Sequence, residues 1–178
     1  MISKGSDLLL NSLTQYYDKH PEHRAVLSEI SKGTFTISLR VMDWFITHYA
    51  KFNNITYWID EEHQTFHESI QSVGPHLRKF HLYLEYRSQL KSFTKLYFDP
   101  FRRHERISFV LEHKPLTVME TTLGQLNFFR WVFQNHILTY MLSHQATIEK
   151  EMNDYHGNKK EVVPRQSRGQ CKPISNMF

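Results

Sequence analysis

The chain has 178 residues, of which 40% are hydrophobic and 22% charged, and its formal net charge is +4. These values are typical of a soluble globular protein with one domain, with or without a tail. Cys171 is the only cysteine, which excludes an internal disulfide framework and a zinc site built from several cysteines. With 6 glycines and 6 prolines, the chain has too few turn residues for a many-stranded sandwich or propeller, which favours long helices.

Three helices and a strand are predicted in the first third of the chain. The first helix begins near Ser6 and is interrupted at His20-Pro21, and the second runs from Pro21 to Gly33. Residues 38–51 are predicted as a third helix, because their apolar face continues beyond a short stretch that alternates like a strand. A turn then leads into a strand over residues 55–59.

The clearest helix follows an acidic segment, residues 60–68, which is predicted to be a helix or a loop. This helix is predicted to begin at Gly74-Pro75 and to end at Asp99-Pro100. Beyond it the pattern predicts strands over residues 107–112 and 116–120, a helix from Thr121 or Thr122 to Asn135, and a final helix over residues 139–154. Leu90 and Phe129 lie centrally on their apolar faces and are predicted core residues.

Together these elements predict a mainly helical α+β fold, with one globular domain over residues 1–155 and a small antiparallel β element. Residues 156–178 are polar and carry a net charge of +4, which predicts a basic C-terminal tail that is disordered in isolation. The sequence has no apolar stretch of membrane-spanning length and no signal-peptide pattern, so neither a membrane partner nor secretion is expected.

The charges of residues 1–155 balance, but they are segregated along the chain. Residues 60–68 carry a net charge of −4 and residues 78–106 a net charge of +5. Within the predicted long helix, Arg87, Lys91 and Lys95 repeat every four residues and form one line of cations, here called the basic ridge. Segregated charges of this kind steer charged partners even where the total charge is zero.

The basic ridge has two interpretations. Lysine and arginine neutralise phosphates, so the candidate nucleic-acid-binding residues are Arg87, Lys91, Lys95, Arg102, Arg103 and Arg106. Exposed aromatic side chains stack on bases, which makes Tyr83 and Tyr97 candidate stacking groups. In the other interpretation, the helix is an ordinary amphipathic helix with a solvated charged face and its aromatic side chains in the core. The tail likewise either binds nucleic acid or only improves solubility.

One pair of histidines has the spacing of zinc ligands. His63 and His67 are four residues apart and would share one face of a helix. Gln64 stands where the helix of a zinc protease carries its general base, and no third ligand can be assigned. A polar surface turn is therefore favoured, and no metal site is predicted.

A second pattern is similar to the active sites of metal-dependent nucleases. In those enzymes two carboxylates hold Mg²⁺ and a lysine stabilises the attacking hydroxide, roles that Asp99, Glu112 and Lys114 could fill. Asp99 precedes a proline instead of following one, and Pro115 ends the strand after Lys114, so a chance match is favoured.

The sequence also lacks a G-x-S-x-G elbow and a phosphate loop. No catalytic residue and no cofactor are predicted, and a non-enzyme is favoured over an enzyme.

Three stretches of the sequence carry a family resemblance. They are LRVMDWFITHY at residues 39–49, YRSQLK with FDPFRR within residues 86–103, and ETTLGQLNFFRW at residues 120–131. They resemble a family of short, uncharacterised proteins encoded by nucleocytoplasmic large DNA viruses. The resemblance implies a viral origin, with the host cytoplasm or the virion as the expected location, and it implies no activity and no catalytic residues.

Three functions are compatible with these observations. The favoured prediction is a non-enzymatic nucleic-acid-binding or regulatory protein, whose basic helix and tail contact phosphates. The alternatives are a minor structural protein of virion assembly, which contacts other viral proteins, and a small metal-dependent nuclease. A continuous basic stripe on the surface favours nucleic-acid binding, and a large exposed aromatic patch favours a role in virion assembly. A pocket that joins Asp99 to Glu112 favours the nuclease.

Overall fold

Helices make up most of the fold, as the scarcity of glycine and proline predicts. The computed structural model describes residues 4–71, 73–113 and 115–161. Over these residues, helices surround two small antiparallel sheets, and one cluster of buried side chains includes residues from both sheets. The predicted single-domain, mainly helical α+β fold is confirmed. None of the helices in these ranges is long and apolar enough to cross a membrane.

Two helices joined at a proline open the fold. Helix α1 (Lys4–Lys19) leads directly into α2 (Pro21–Lys32), and Pro21 occupies the first turn of α2, where a backbone N–H is not needed. Gly33 ends α2 with a φ of 70°, a left-handed conformation in which its N–H bonds the carbonyl oxygens of Glu29 and Ile30. The predicted interruption between the first two helices at His20-Pro21 and the predicted end of the second helix at Gly33 are both confirmed.

The third predicted helix is confirmed, with an irregular middle. It consists of α3 (Leu39–Trp44), a π-helical turn (Phe45–Tyr49) and α4 (Ala50–Phe52). The Ser38 hydroxyl caps its start by accepting a hydrogen bond from the Val41 N–H at 3.3 Å. The π-helical turn buries three side chains in the core, namely Phe45, Ile46 and Tyr49.

A three-stranded antiparallel sheet follows, with β1 (Thr56–Asp60) between β2 (Thr65–His67) and β3 (Leu77–His81). The strand predicted over residues 55–59 is confirmed, the helix or loop predicted over residues 60–68 is a loop only at residues 61–64 and 68, and the helix start predicted at Gly74-Pro75 is wrong. Residues 60–68 form a hairpin, because the chain turns after Asp60 and residues 65–67 pair with β1. Gly74-Pro75 does not begin the long helix, because residues 77–81 first pair with the other edge of β1.

The long helix is confirmed in a shortened form as α5 (Leu82–Tyr97). Thr94 interrupts its last turn with a φ of 56° and a ψ of 174°, and the Thr94 hydroxyl accepts a hydrogen bond from the Leu96 N–H. Leu82 is fully buried, whereas Leu90 is half-buried and packs at the edge of the core. The prediction that Leu90 is a core residue is therefore only partly confirmed.

The predicted hairpin and the helix after it are confirmed. Strands β4 (Arg106–His113) and β5 (Leu116–Thr122) pair antiparallel, with a bulge between Val110 and Glu112. Helix α6 (Leu123–Gln134) begins at Thr122, whose hydroxyl accepts a hydrogen bond from the Gln125 N–H at 3.2 Å. Phe129 on α6 is 4% exposed, so its predicted place in the core is confirmed.

The C-terminal helices differ from the sequence prediction. Where one helix is predicted over residues 139–154, the chain forms α7 (Ile137–Ser143) and α8 (Gln145–Glu161), which meet at His144. The predicted boundary at residue 155 falls inside α8. Lys159, Lys160 and Glu161 are good helix formers, although Gly157 and Asn158 before them are not, and the next proline is Pro164. The rest of the predicted tail, residues 162–178, lies outside the described residues.

Aromatic side chains on α6 and at the end of α5 form the centre of the core. The ring centroid of Phe98 lies 5.3 Å from that of Phe128 and 5.4 Å from that of Trp131. Aromatic pairs in such geometries add about 0.5–1.5 kcal/mol each beyond the burial of their area. Gly124 permits the close approach of the two helices, since a Cβ there would lie 3.1 Å from the Leu96 carbonyl oxygen.

Candidate functional site

The basic ridge lies on the exposed side of α5. Arg87, Lys91 and Lys95 are all exposed. Arg87 and Lys91 lie one helical turn apart, about 6 Å along the axis, whereas Lys95 follows the break in the helix at Thr94. They line an open depression of about 740 Å³ together with Leu84, Ser88, Leu90 and Thr94. In the part of the chain that the structure describes, none of the three cations forms an ion pair. The charges of Arg87 and Lys91 are therefore free to meet an external anion, whereas Lys95 also interacts electrostatically with the Asp43 carboxyl group.

The three arginines beyond α5 have different surroundings. Arg102 is half-buried, and its Nη2 donates to Oε2 of Glu105 at 3.2 Å. Arg106 is exposed, with Nη1 3.7 Å from Oε2 of Glu120. Arg103 is exposed, and its side chain has no ion pair with any other described residue. Of these three, Arg103 offers the positive charge that is least neutralised by neighbours.

The two candidate stacking groups are half-buried. Tyr83 packs against the core, and the Lys51 ammonium lies 5.7 Å from the centroid of its ring. Tyr97 is also half-buried, at the last position of α5. This partial burial is what the amphipathic-helix interpretation expects of the aromatic side chains, and it leaves phosphate contact as the stronger part of the nucleic-acid hypothesis.

The nuclease-like residues lie at opposite ends of the β4–β5 hairpin. The Asp99 N–H bonds the Gly124 carbonyl oxygen at 3.2 Å, just beyond the end of the hairpin that begins at Arg106. Glu112 pairs with Thr117 near the other end, about 20 Å away at the usual rise of a strand. The structure therefore does not join Asp99 to Glu112. Lys114 lies outside the described residues.

His63 and His67 do not share a helical face. His63 lies in the turn between β1 and β2, and its Nδ1 is 2.8 Å from Oδ2 of Asp60. His67 is the last residue of β2, and its Nε2 is 3.3 Å from the Thr65 hydroxyl oxygen. The helical pair of zinc ligands that the spacing allows is therefore not formed.

Asp60 organises the turn that holds His63. Its Oδ1 accepts hydrogen bonds from the N–H groups of His63 and Glu62, each at 3.0 Å. These backbone hydrogen bonds, together with the contact to the His63 ring, lower the pKa of Asp60 to about 2. In return, the hydrogen bond to the Asp60 carboxylate raises the pKa of the His63 imidazole.

This pair predicts two opposite pH dependences. Asp60 stabilises the fold above its unfolded pKa of about 4, and that contribution is lost as the pH falls towards 2. His63 stabilises the fold below its unfolded pKa of about 6.5, and that contribution is lost as the pH rises through its higher folded pKa. Between about pH 6 and 8 we expect the thermal midpoint of the His63→Ala variant to fall less than that of the wild type. Identical profiles would show that the pair is not coupled.

A second cleft, which the sequence patterns did not reveal, lies between the α1–α2 turn, the β1–β3 pair and the α6–α7 junction. Its volume is about 740 Å³. The polar side chains that line it include Tyr16, His20, Glu22, His23, Arg78 and His136. Because three of these are histidines, it is called the histidine cleft below.

One side of the histidine cleft holds three side chains that can bind a metal ion. His20, Glu22 and His23 each offer one ligand atom, and these atoms lie within 4.8 Å of one another. Nδ1 of His20 is 3.1 Å from Oε1 of Glu22, and Nδ1 of His23 is 3.9 Å from the same oxygen. Burial lowers the pKa of the His23 imidazole, which favours its neutral form.

Aromatic contacts hold the two imidazole rings in place. The His23 ring stacks on Phe133 with centroids 4.6 Å apart and planes 8° apart, and the His20 and His23 centroids are 5.0 Å apart. The Tyr16 hydroxyl oxygen is 2.8 Å from Nδ1 of His23, and its ring lies 4.6 Å from that of His20. The rings are therefore oriented before any ligand arrives.

His136 lines the same cleft in an unusual backbone conformation. Its φ of 55° lies in the left-handed region, which is uncommon for residues other than glycine. Its buried Nε2 has no hydrogen-bond partner among the described residues, and burial lowers the pKa of its imidazole. Beside it, Arg78 donates to Oδ1 of Asn135 at 3.0 Å and to Oε1 of Glu61 at 2.9 Å.

The sequence signal for this cluster is the tetrapeptide His20-Pro21-Glu22-His23. It escapes a search for histidines four residues apart, because His20 and His23 are three residues apart. A proline between potential ligands is the clue that could have found it, since it brings His20 and His23 into one turn instead of along one helix.

The chain is similar to a viral protein and to a family of unknown function. The family described as a family of unknown function (DUF7197) matches residues 1–176. An uncharacterized protein of Acanthamoeba polyphaga mimivirus is 30% identical over 171 residues, which cover 94% of this chain and 60% of that protein. No solved structure matches the chain. The resemblance to an uncharacterised family of large DNA viruses is thereby confirmed, and the chain belongs to the DUF7197 family.

Proposed function

We propose that the protein is a non-enzymatic nucleic-acid-binding protein that contacts phosphates through the basic ridge. The observation that carries this proposal is the exposure of Arg87, Lys91 and Lys95, without an ion pair to any described residue. A cation that no carboxylate neutralises releases counterions from nucleic acid when it contacts a phosphate. Arg103 adds a further exposed charge in the segment that follows α5.

The distribution of aromatic side chains supports this choice over a virion assembly protein. Among the described residues, the large aromatic side chains that are clearly exposed are Phe52 and Phe101, at 70% and 43%. They belong to different parts of the chain, and most other aromatic rings contribute to the core. An assembly surface built from aromatic side chains therefore has little support. The separation of Asp99 from Glu112 removes the geometric support for a nuclease.

The salt dependence of binding tests the proposal. Changing Arg87, Lys91 and Lys95 together to glutamine keeps a good helix propensity and removes three positive charges. For the wild type, log K should fall linearly with log salt concentration. For the triple variant, we expect the slope to decrease in magnitude by about 2–3, at about 0.9 per phosphate contact on a duplex or 0.7 on a single strand. Fluorescence anisotropy with labelled oligonucleotides measures this slope.

A matched variant controls for the loss of net charge alone. Lys19, Lys32 and Lys150 are exposed on three other helices, and changing them together to glutamine removes the same charge. We expect this variant to keep nearly the wild-type slope. Equal effects of the two triple changes, or no binding by the wild type at about 50 mM salt, would show that the basic ridge is not a nucleic-acid surface.

A further inference from the structure

We propose that His20, Glu22 and His23 form a binding site for a divalent transition metal ion of the zinc class, in the histidine cleft. This site is independent of the basic ridge, since its residues come from the α1–α2 turn and not from α5. The combination of two imidazoles with one carboxylate is a ligand set that zinc and its first-row neighbours accept. Magnesium and calcium prefer sites made of oxygen ligands alone.

Both distances from the Glu22 carboxylate to the histidine ligand atoms suit one shared ion. A zinc ion lies about 2.0–2.2 Å from imidazole nitrogens and carboxylate oxygens, so ligand atoms around it are separated by roughly 3–4 Å. Glu22 Oε1 is 3.1 Å from Nδ1 of His20 and 3.9 Å from Nδ1 of His23. All three ligand atoms lie within 4.8 Å of one another, so side-chain rotations that release Nδ1 of His23 from the Tyr16 hydroxyl bring them into one coordination sphere.

The local structure holds these ligands before an ion arrives. Pro21 fixes the backbone between His20 and Glu22 at the first turn of α2. Phe133 stacks on the His23 ring, and Tyr16 packs against the His20 ring. A site on rigid elements loses less conformational entropy on binding than a site on a loose loop.

The rest of the cleft is consistent with an ion that has an open coordination position. Three protein ligands leave a fourth position of a tetrahedral zinc site for water or another small ligand, as in catalytic zinc sites. The cleft of about 740 Å³ provides space next to the ligands. His136 and Arg78 line this space.

Calorimetric titration of the full chain with zinc chloride tests the site. We expect saturable binding of one ion at this cluster, and a loss of affinity of at least about tenfold in each of the variants His20→Ala, Glu22→Gln and His23→Ala. Co²⁺ provides a second measurement, because the d–d absorption of a bound cobalt ion reports its coordination geometry. Each variant is checked by circular dichroism, so that loss of binding is separated from loss of fold.

Three control variants exclude other zinc ligands. Cys171→Ser removes the only thiol, and His63→Gln removes a ring that lies near the Asp60 carboxylate and 6.2 Å from the His76 ring. Both are expected to bind zinc with wild-type affinity. Tyr16→Phe keeps the stacked ring but removes the hydroxyl beside Nδ1 of His23, and it should bind at least as tightly as the wild type.

Three results would overturn the site. These are the absence of saturable zinc binding by the wild type, wild-type affinity in the three ligand variants, and loss of affinity in any of the control variants. None of these three results depends on nucleic-acid binding. The metal site and the nucleic-acid-binding role of the basic ridge are therefore tested independently of each other.

Discussion

Replacing Phe129 with alanine is expected to lower the free energy of unfolding by about 3–5 kcal/mol, the usual cost of truncating a large buried aromatic side chain. Phe129 is 4% exposed on α6, and its ring centroid lies 5.5 Å from that of Phe128 and 6.3 Å from that of Phe133. Its removal leaves a cavity on the helix that both α1 and α5 contact. Urea unfolding followed by circular dichroism measures the change.

Leu90→Ala is the matched comparison. Leu90 also lies on an apolar helical face, but it is half-buried at the edge of the core. Its truncation exposes little new cavity, so we expect a cost of about 1 kcal/mol, well below that of Phe129→Ala. Equal costs at the two positions would mean that the environments of α5 and α6 are not as described.

The helices and the long hairpin were accessible from sequence because their signals are local. Pro21 and Gly33 delimit α2, and Thr122 caps α6, so each boundary depends on residues within one or two turns. The β4–β5 hairpin pairs two β-rich segments that are separated by only two residues in the sequence. In such cases the residues that decide the structure are close together in the chain.

The misplaced elements depend on contacts that the sequence does not reveal. β2 has three residues, and its pairing with β1 rather than any intrinsic propensity makes it a strand. The same holds for β3, which pairs along the other edge of β1 before the chain enters α5. Amphipathic periodicity gives no information about such pairing, so the start of α5 was predicted too early.

The two candidate sites also differ in how much of each the sequence reveals. The sequence is sufficient to name the three cations of the basic ridge, but their spacing of four residues does not reveal the break in the helix at Thr94. The histidine cleft requires the α1–α2 turn to meet the α6–α7 junction, where His136 lies. Only its first part, the cluster of His20, Glu22 and His23, is contiguous in the sequence.

A buried polar contact between α5 and α6 leads to the second large expected effect. Asn127 is 2% exposed, and its Nδ2 donates to the carbonyl oxygen of Tyr97 at 2.9 Å. Tyr97 is the last residue of α5, where carbonyl groups have no partner within the helix. The side-chain oxygen Oδ1 of Asn127 accepts a hydrogen bond from Nη2 of Arg130 at 2.6 Å. Nη1 of Arg130 in turn donates a hydrogen bond to the Ser12 hydroxyl on α1 at 2.9 Å.

Asn127→Leu keeps the approximate volume of the side chain and removes both hydrogen bonds. The Tyr97 carbonyl then loses its side-chain donor, at a cost of about 1–3 kcal/mol, and the half-buried guanidinium of Arg130 loses an acceptor. We expect the free energy of unfolding to fall by about 2–4 kcal/mol in total, measured by urea unfolding. Gln134→Leu, at the exposed end of the same helix, should change it by no more than about 0.5 kcal/mol.

A double-mutant cycle separates the two hydrogen bonds of Asn127. In an Arg130→Met background the guanidinium is absent, so Asn127→Leu should cost less than in the wild type by about 0.5–3 kcal/mol. The remaining cost then reports the Tyr97 carbonyl, which has lost the same donor in both backgrounds. If Asn127→Leu costs the same with and without Arg130, the link from α1 through Arg130 to Asn127 contributes nothing to stability, and the polar contact acts only between α5 and α6.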